Sequence, residues 1–361
     1  MVTTESDVQL APLTTLRLGG AARRLVEAST EADLVEAVIS ADRAGEPLLV
    51  LAGGSNVVIA DEGWDGTVVR IATGGVELRE HPDGRTGVRV AAGENWDALV
   101  ERLVADGLAG AECLAGIPGS AGATPIQNVG AYGQDVSRSL VAVRVLDRTT
   151  GAVSEIAAAD CGLGYRTSAF KRSSRHVVLS VAFAFERSPL SMPIAYAELA
   201  RTLGVQVGAR VPLAHARDAV LELRRSKGMV LDARDHDTWS AGSFFTNPVL
   251  SGDEFAAFQA RVTERCGADV APPHFDDPAG IKTSAAWLIE RAGFGRGDSR
   301  GQVALSSRHA LALTNRGGAS SRELVAFARE IADTVNAAFG VMLHPEPVFV
   351  GIDWVGAPAA P

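Results

Sequence analysis

Apolar positions along this chain switch between two periods, and the switches mark out its elements. The stretch STEADLVEAVISADRAG carries apolar residues at helical spacing, with Leu34, Val35, Ala37 and Val38 on one face. Ser29 or Thr30 stands where an N-cap belongs, Glu31 and Asp33 lie at the positive end of the helix dipole, and Gly45 marks the end. The continuous apolar run Leu48 to Leu51 reads as a buried strand, closed by the tight turn Gly53-Gly54-Ser55-Asn56. Val68 to Val90 alternate around Pro82-Asp83-Gly84, the pattern of a hairpin.

Helical spacing returns with Trp96, Leu99, Val100, Leu103 and Val104, ending near Gly107. From Leu140 the chain reads as two strands about a bend at Thr149-Thr150-Gly151, followed by an alternating strand from Val177 to Phe185. A helix from about Pro212 to Arg225 carries Ala214, Ala216, Val220 and Leu223, after which the residues to about 250 lack any regular period. Two further helices are predicted near 284–293 and over 320–340. The second opens with the capping sequence Ser320-Ser321-Arg322-Glu323 and carries a stripe through Leu324, Ala326, Phe327, Ile331 and Val335. Helices mixed with many short strands predict an α+β fold, with one domain up to about residue 188.

Composition narrows the function classes. At 361 residues the length suits two to three domains, and 47% hydrophobic with 21% charged residues is a globular balance. A net charge of -9 argues against nucleic acid or an anionic membrane as the main partner. The amino terminus lacks a basic start followed by an apolar core, and no run long enough to span a bilayer occurs, so a cytoplasmic location is expected. Cys113, Cys161 and Cys266 are far apart, and the seven histidines show no ligand spacing, so no metal site is expected. Redox chemistry here needs an organic cofactor.

The stretch LAGIPGSAGATPIQNVGAYG over 114–133 is the richest in candidate chemistry. Its glycines permit close approach of backbone to a ligand. The N–H groups around Gly119, Ser120, Gly122 and Ala123 suit a concave donor array for a pyrophosphate, with Gln127, Asn128 and Tyr132 available to a polar heterocycle. A glycine-rich turn crossing between strands fits the composition equally well. The 53–56 turn exposes N–H groups of its own, but it matches neither a dinucleotide fingerprint nor a P-loop.

Three other constellations carry reactive groups. Tyr165-Arg166-Thr167-Ser168-Ala169-Phe170-Lys171 places a phenol, a guanidinium and an ammonium in one loop, where the arginine can fix a carboxylate or phosphate. Ser240 to Pro248 sets Ser243 among small residues and beside Phe244 and Phe245, so that its hydroxyl can donate a proton in a dry site. His344-Pro345-Glu346-Pro347 is extended because its prolines exclude helix, and Glu346 can pair with Arg166 or lie on the surface. A solvated basic turn and a capped serine turn are the plain alternatives for the first two.

Taken in order, GGSN at 53–56, GENW at 93–96, IPGSAGATPIQNVGAYG at 117–133, GYRTSAFK at 164–171, AGSFFTNP at 241–248 and HPEP at 344–347 resemble the motifs of the UDP-N-acetylenolpyruvoylglucosamine reductase family. These are flavoenzymes of peptidoglycan precursor synthesis, and the resemblance runs from about residue 12 to 351. It implies an α+β, two-lobed FAD-binding domain of the vanillyl-alcohol-oxidase type over 12–228, with lobes at about 12–75 and 76–228, completed by 341–355. A C-terminal α+β substrate-binding domain would span 229–340. Non-covalent FAD would be held by Gly53, Gly54, Ser55, Asn56, Pro118, Gly119, Ser120, Gly122, Ala123, Gln127, Asn128, Gly130, Ala131 and Tyr132.

The resemblance further implies that NADPH is the electron donor and that a UDP-sugar enolpyruvyl ether is reduced to UDP-N-acetylmuramate. Flavin N5 would deliver hydride to the β-carbon, Ser243 would donate the proton, and Arg166 and Glu346 would polarise the carboxylate. Tyr165, Lys171, Tyr196, Lys227 and Asn247 would bind substrate. YAEL at 196–199 resembles the closing tyrosine loop of the long-loop, type I branch, and a monomer is expected. The stretch 228–239 is longer than the family pattern, which puts loop lengths in question there. The alternative is an FAD-dependent oxidase of a sugar or hydroxy acid on the same fold, although serines at 55 and 120 offer no covalent flavin attachment.

Overall fold

The computed structural model describes residues 3–354. Met1 and Val2 of the amino-terminal stretch lie outside the described residues, as do residues 355–361, including residue 355 at the expected end of the completing segment.

The first unit contains β1 (Thr3–Gln9), β2 (Ala21–Ala28), α1 (Glu31–Arg43), β3 (Leu48–Leu51), β4 (Val57–Ile59) and β5 (Trp64–Ile71). Its sheet has the order β1-β2-β5-β3, with β2, β5 and β3 parallel and β1 antiparallel at the edge. The Thr30 hydroxyl caps α1 by accepting from the Asp33 N–H at 3.1 Å, as its sequence predicts. Leu34 and Val38 are fully buried, each contributing about 2 kcal/mol of hydrophobic stabilisation. They pack with Val26, Ala28 and Val69 on one side and with Leu146, Val177 and Leu179 on the other, which places α1 between two sheets.

The second sheet is built from β6 (Val76–Glu80), β7 (Thr86–Ala91), β11 (Leu140–Asp147), β12 (Ala152–Ala157) and β13 (His176–Arg187) in the order β12-β11-β13-β7-β6, all antiparallel. Between β7 and β11 come α2 (Trp96–Ala105) and the two-residue strands β8 (Leu108–Ala109), β9 (Gly130–Ala131) and β10 (Gln134–Asp135). The expected hairpin is shorter than its alternating pattern. Val68 to Ile71 belong to β5 of the first sheet, where a parallel strand buries both faces, and only β6 and β7 turn about Pro82-Asp83-Gly84. The alternation expected over Val177 to Phe185 is also broken, because a register shift between Arg144 and Val145 of the paired strand changes which face each residue presents. Val177 and Leu179 therefore pack toward α1, while Val178, Val181, Phe183 and Phe185 pack with α2.

Two helices follow, α3 (Ala197–Thr202) and α4 (Leu213–Ser226). The buried face of α4 is Leu213, Ala216, Ala219, Val220 and Leu221. Ala214, expected in that stripe, is exposed because the face begins one residue earlier.

The last unit comprises β14 (Val249–Leu250), α5 (Gly252–Cys266), β15 (His274–Asp277), β16 (Gly280–Thr283), α6 (Ala285–Arg291), β17 (Ser299–Arg300), β18 (Val303–Leu305), β19 (Leu313–Asn315), α7 (Ser321–Phe339) and β20 (Val348–Val350). Helix α7 has the predicted capping box of Ser320 and Glu323. Its buried face runs through Leu324, Phe327, Ile331 and Val335, with Val325 and Ala328 inside and Ala326 exposed. Helix α5 was not predicted, although it opens with the same device, Ser251 and Glu254, and buries Phe255, Phe258 and Val262 at helical spacing. Its core includes Leu16, Leu18 and Val58 of the first unit. Strand β20 returns to pair parallel with β4, which brings the C-terminal motif beside the 53–56 turn. Mostly antiparallel sheets, with parallel pairing confined to β2–β5, β3–β5 and β4–β20 and with helices packed against them, make an α+β architecture.

Candidate active site

The turn after β3 and the loop before β9 meet backbone to backbone. A Cβ on Gly53 would lie 2.6 Å from the Gly119 Cα, leaving no room for a side chain against that fixed backbone, and one on Gly119 would lie 2.6 Å from the Ser55 Oγ. Gly119 follows Pro118 with φ at 121°, and at Gly54, with φ at 58°, an added Cβ would collide with the Leu13 carbonyl. The N–H groups of Gly53, Gly54, Ser55, Asn56, Gly119 and Ser120 find no acceptor among the described residues. The Ser120 hydroxyl and the neighbouring Thr15 hydroxyl are buried and equally unpartnered. Such an array of inward donors fits a diphosphate, whose oxygens accept hydrogen bonds.

The array is narrower than its sequence suggests. Gly122 and Ala123 spend their N–H groups on the carbonyls of Ala92 and Ser120, at 2.9 and 3.1 Å, so these two residues shape the turn and add no donors. Gly122 is also required by packing, since a Cβ there would come within 2.5 Å of the Ala92 side chain. The amides expected to meet a heterocycle are partly engaged as well. Asn56 Nδ2 donates to Gln127 Oε1 at 2.8 Å, while Asn128 donates to the Gly164 carbonyl and accepts from the Ser137 N–H, both at 3.1 Å. Asn128 thereby ties the glycine loop to the arginine turn.

In that turn the Gly164 N–H donates to the Thr167 carbonyl at 3.1 Å, and Arg166 sits at φ 51°. Arg166 Nη2 donates to the carbonyl of Gly130 in β9 at 3.0 Å, and its Nε lies 3.3 Å from Glu346 Oε1. The carboxylate side chain is only 11% exposed, so the pair is partly desolvated and stronger than a surface contact. Lys171 Nζ donates to the Arg166 carbonyl at 2.7 Å, and burial lowers its pKa. It supports the arginine from behind.

The segment that follows Ser243 is tied to Glu346 by backbone pairing. The Glu346 N–H donates to the Phe244 carbonyl at 2.8 Å, and the Thr246 N–H donates to the His344 carbonyl at 3.1 Å. Asn56 closes the arrangement by donating to the Glu346 carbonyl at 3.3 Å and accepting from the Val348 N–H at 2.9 Å. Phe244 and Phe245 are fully buried, which excludes water behind the serine. The Ser243 hydroxyl makes no hydrogen bond among the described residues.

The remaining expected residues line the rim. Tyr132, at φ 49° in the turn joining β9 and β10, meets Tyr196 edge to face at 5.5 Å, and burial pushes its phenol up to about 12. Lys227 Nζ lies 5.7 Å from the Tyr132 ring centre and pairs with Glu198 at 2.5 Å. Ala131 sits in β9 beside them. Tyr165 is exposed beneath Lys282 Nζ at 4.4 Å and borders Asn247, whose Oδ1 accepts from the Ala285 N–H at 3.0 Å.

Several residues escaped sequence reasoning. Arg224 lies three positions before Lys227, at the end of α4, with its Nε buried and unpartnered. Burial lowers its pKa to about 10, leaving it a cation at neutral pH. Its i, i+3 relation to Lys227 was the available signal. His309 is held neutral, with a pKa near 4, first by burial and then by Lys227, Arg296 and Arg224. It comes from a loop distant in sequence, and no local pattern marked it. Glu198 and Lys282 were likewise recruited by the fold.

Comparison with known proteins identifies the family. Residues 22–157 match a family model described as an FAD binding domain, and residues 234–350 match one described as the C-terminal domain of UDP-N-acetylenolpyruvoylglucosamine reductase. Curated reductases of that name are similar over nearly their whole length. The one from Thermobifida fusca is 55% identical over 96% of this chain and 98% of its own, and the one from Streptomyces coelicolor is 57% identical over 96% and 90%. The crystal structure of the Thermus caldophilus reductase superposes with a TM-score of 0.65 at 23% identity, covering 97% of this chain and 99% of that one. The chain belongs to the UDP-N-acetylenolpyruvoylglucosamine reductase family.

Proposed function

We propose that this chain takes electrons from NADPH onto non-covalently bound FAD and reduces UDP-N-acetylglucosamine enolpyruvate to UDP-N-acetylmuramate, with Ser243 as proton donor. The observation that carries the reading is the Arg166–Glu346 pair at 3.3 Å, with Ser243 held next to it by the Phe244–Glu346 hydrogen bond. FAD fits the free donors of the two glycine loops, and when bound and reduced it supplies the hydride for the β-carbon of the enol ether.

The residues of the chain then have distinct tasks. Negative charge builds on the carbon bearing the carboxylate, and Arg166, oriented by Gly130 and Glu346, binds that carboxylate and offsets the charge. Ser243 protonates the carbon. A serine hydroxyl is a weak acid, so its proton moves only while the Arg166 cation is in place. Lys171 sustains the arginine turn and adds positive charge beside it. Lys227 receives the diphosphate, Asn247 and Tyr165 receive the nucleotide end, and Tyr196 closes over the substrate as in the long-loop branch.

The domain reading that accompanies this is a two-lobed flavin domain over 12–228, completed by the C-terminal return, and a substrate domain over 229–340. The free-standing enzyme is a cytoplasmic monomer serving cell-wall synthesis and thereby cell shape and division. The test is anaerobic. NADPH bleaches the yellow protein, and adding the enolpyruvyl sugar nucleotide restores the flavin absorbance. Recovery only on admitting oxygen would instead identify an oxidase of a sugar or hydroxy acid, and absence of bound flavin would remove the reading.

A further inference from the structure

The stretch 228–239 contains a buried carboxylate that the mechanism above does not use. Asp237 is 5% exposed and collects five hydrogen bonds. Its Oδ1 accepts from the Ser307 N–H at 3.0 Å and from Arg316 Nη1 at 2.6 Å. Its Oδ2 accepts from Ser306 Oγ at 3.0 Å, Ser307 Oγ at 2.9 Å and Arg308 Nε at 3.0 Å. Asp235 pairs with the other end of Arg308. A buried carboxylate with this many donors fixes the position of every segment that supplies one.

Those segments lead to the candidate proton donor from two sides. The loop beginning at Ser306 folds back through the Ser306 N–H to Ala312 carbonyl bond at 2.8 Å, and its Leu311 carbonyl accepts from the Phe244 N–H at 2.7 Å. Phe244 in turn accepts from the Glu346 N–H at 2.8 Å. On the other side, Trp239 accepts from the Asn315 N–H at 3.0 Å, and Ser240 Oγ accepts from the Gly242 N–H at 3.2 Å, directly before Ser243. The same cluster abuts Gly228, where a Cβ would lie 3.1 Å from Arg308 Nε, next to Lys227.

We propose that Asp237 is a positioning residue for this reaction: it clamps the 306–311 loop, and through the Leu311–Phe244 bond it holds the Ser243 backbone in register with Glu346. The proposal rests on the reading of Ser243 as proton donor. It gives the 228–239 stretch a purpose, that of an anchor for the loop opposite.

The test compares holoenzymes of the wild type, Asp237→Asn and Ser307→Ala, the last a milder loss of donor that keeps the experiment readable if Asp237→Asn folds poorly. Reduction of the flavin by NADPH needs no proton from Ser243 and should stay within about twofold of wild type. Re-oxidation by the enolpyruvyl sugar nucleotide should slow by roughly 10- to 100-fold in Asp237→Asn, the scale of a misplacement near 1 Å, and by several-fold in Ser307→Ala. The solvent deuterium isotope effect on that half-reaction should rise, and amide hydrogen exchange in peptides covering 241–246 should quicken while that of β11 does not. Equal slowing of both half-reactions, or unchanged exchange at 241–246, would overturn the proposal. A wild-type enzyme that the sugar nucleotide fails to re-oxidise would remove the functional reading and the proton-donor role with it, while the exchange comparison would still decide whether Asp237 clamps the loop.

Discussion

Gly53→Ala tests the cofactor cradle with one methyl group. The added Cβ would stand 2.6 Å from the Gly119 Cα, 3.0 Å from its carbonyl carbon and 3.2 Å from the Ser120 nitrogen, all of them backbone atoms that cannot rotate away. Carbon atoms pack at about 3.5–4.0 Å, so the two loops must part by roughly 1 Å. That shift moves the free N–H groups of 53–56 relative to those of 119 and 120. A hydrogen bond to a charged oxygen contributes about 1.5–3 kcal/mol, and weakening two of them should cost about 3–4 kcal/mol, or 10²- to 10³-fold in the Kd for FAD. Gly53 has no left-handed backbone requirement, so the fold should survive. The control is Gly84→Ala at the β6–β7 turn, where φ is 84° and no atom lies within 4 Å of the new methyl. It should cost about 1–2 kcal/mol of stability from backbone strain alone and leave flavin affinity untouched. Titrating each apoprotein with FAD while following flavin fluorescence measures both. A Gly53→Ala protein that binds FAD within threefold of wild type would refute the cradle.

Three other outcomes are expected. Ser243→Ala should lower the rate of flavin re-oxidation by the sugar nucleotide by about two or more orders of magnitude, as for loss of a positioned acid, with NADPH reduction preserved; stopped-flow absorbance separates the two, and normal re-oxidation would exclude Ser243 as donor. Glu198→Gln removes the carboxylate that pairs with Lys227 at 2.5 Å and competes with an incoming diphosphate, so KM for the sugar nucleotide should fall about three- to fivefold, in keeping with a pair of at most about 1 kcal/mol; a raised KM would mean that Glu198 orders the lysine instead. His309 has a folded pKa near 4 against an ordinary 6.5, so between those values the unfolded chain binds the extra proton and stability falls as pH drops. The loss reaches about 3 kcal/mol, urea unfolding from pH 7.5 to 4.5 should therefore be steeper in wild type than in His309→Gln, and parallel curves would contradict the buried neutral histidine.

The sequence revealed local devices well and long-range partners poorly. Thr30 and the Ser320–Glu323 box were readable because a cap and its helix lie within four residues of each other. The missed helix α5 carried the same signal at Ser251 and Glu254, but the irregular stretch before it masked its start. Faces were misjudged where a neighbour decided them: Ala214 and Ala326 satisfy helical spacing, yet the adjoining element covers the next row of residues. The pairing of Arg166 with Glu346 spans 180 positions and was legible only as a family pattern. His309 and Asp237 carried no motif, and Glu198 stood in the YAEL motif without a role of its own, since their significance comes from the residues that the fold sets against them.

Backbone strain gives a physical reason why the site could be located at all. Of the six described non-glycine residues with positive φ, Asn128, Tyr132 and Arg166 belong to the site, at 45°, 49° and 51°. A left-handed non-glycine residue costs of order 1 kcal/mol or more and persists only where its surroundings over-determine it. Here the surroundings are visible. Asn128 is held at both ends of its amide, Tyr132 turns between two paired strands against Tyr196, and Arg166 is gripped by Gly130, Lys171 and Glu346. Glycine at any of these positions would relieve the strain but remove the side chain. The chain therefore bears the strain where a side chain must project from a tight turn, and keeps true glycines at 53, where fixed backbone leaves no room for a side chain, and at 119, whose φ of 121° side chains rarely adopt.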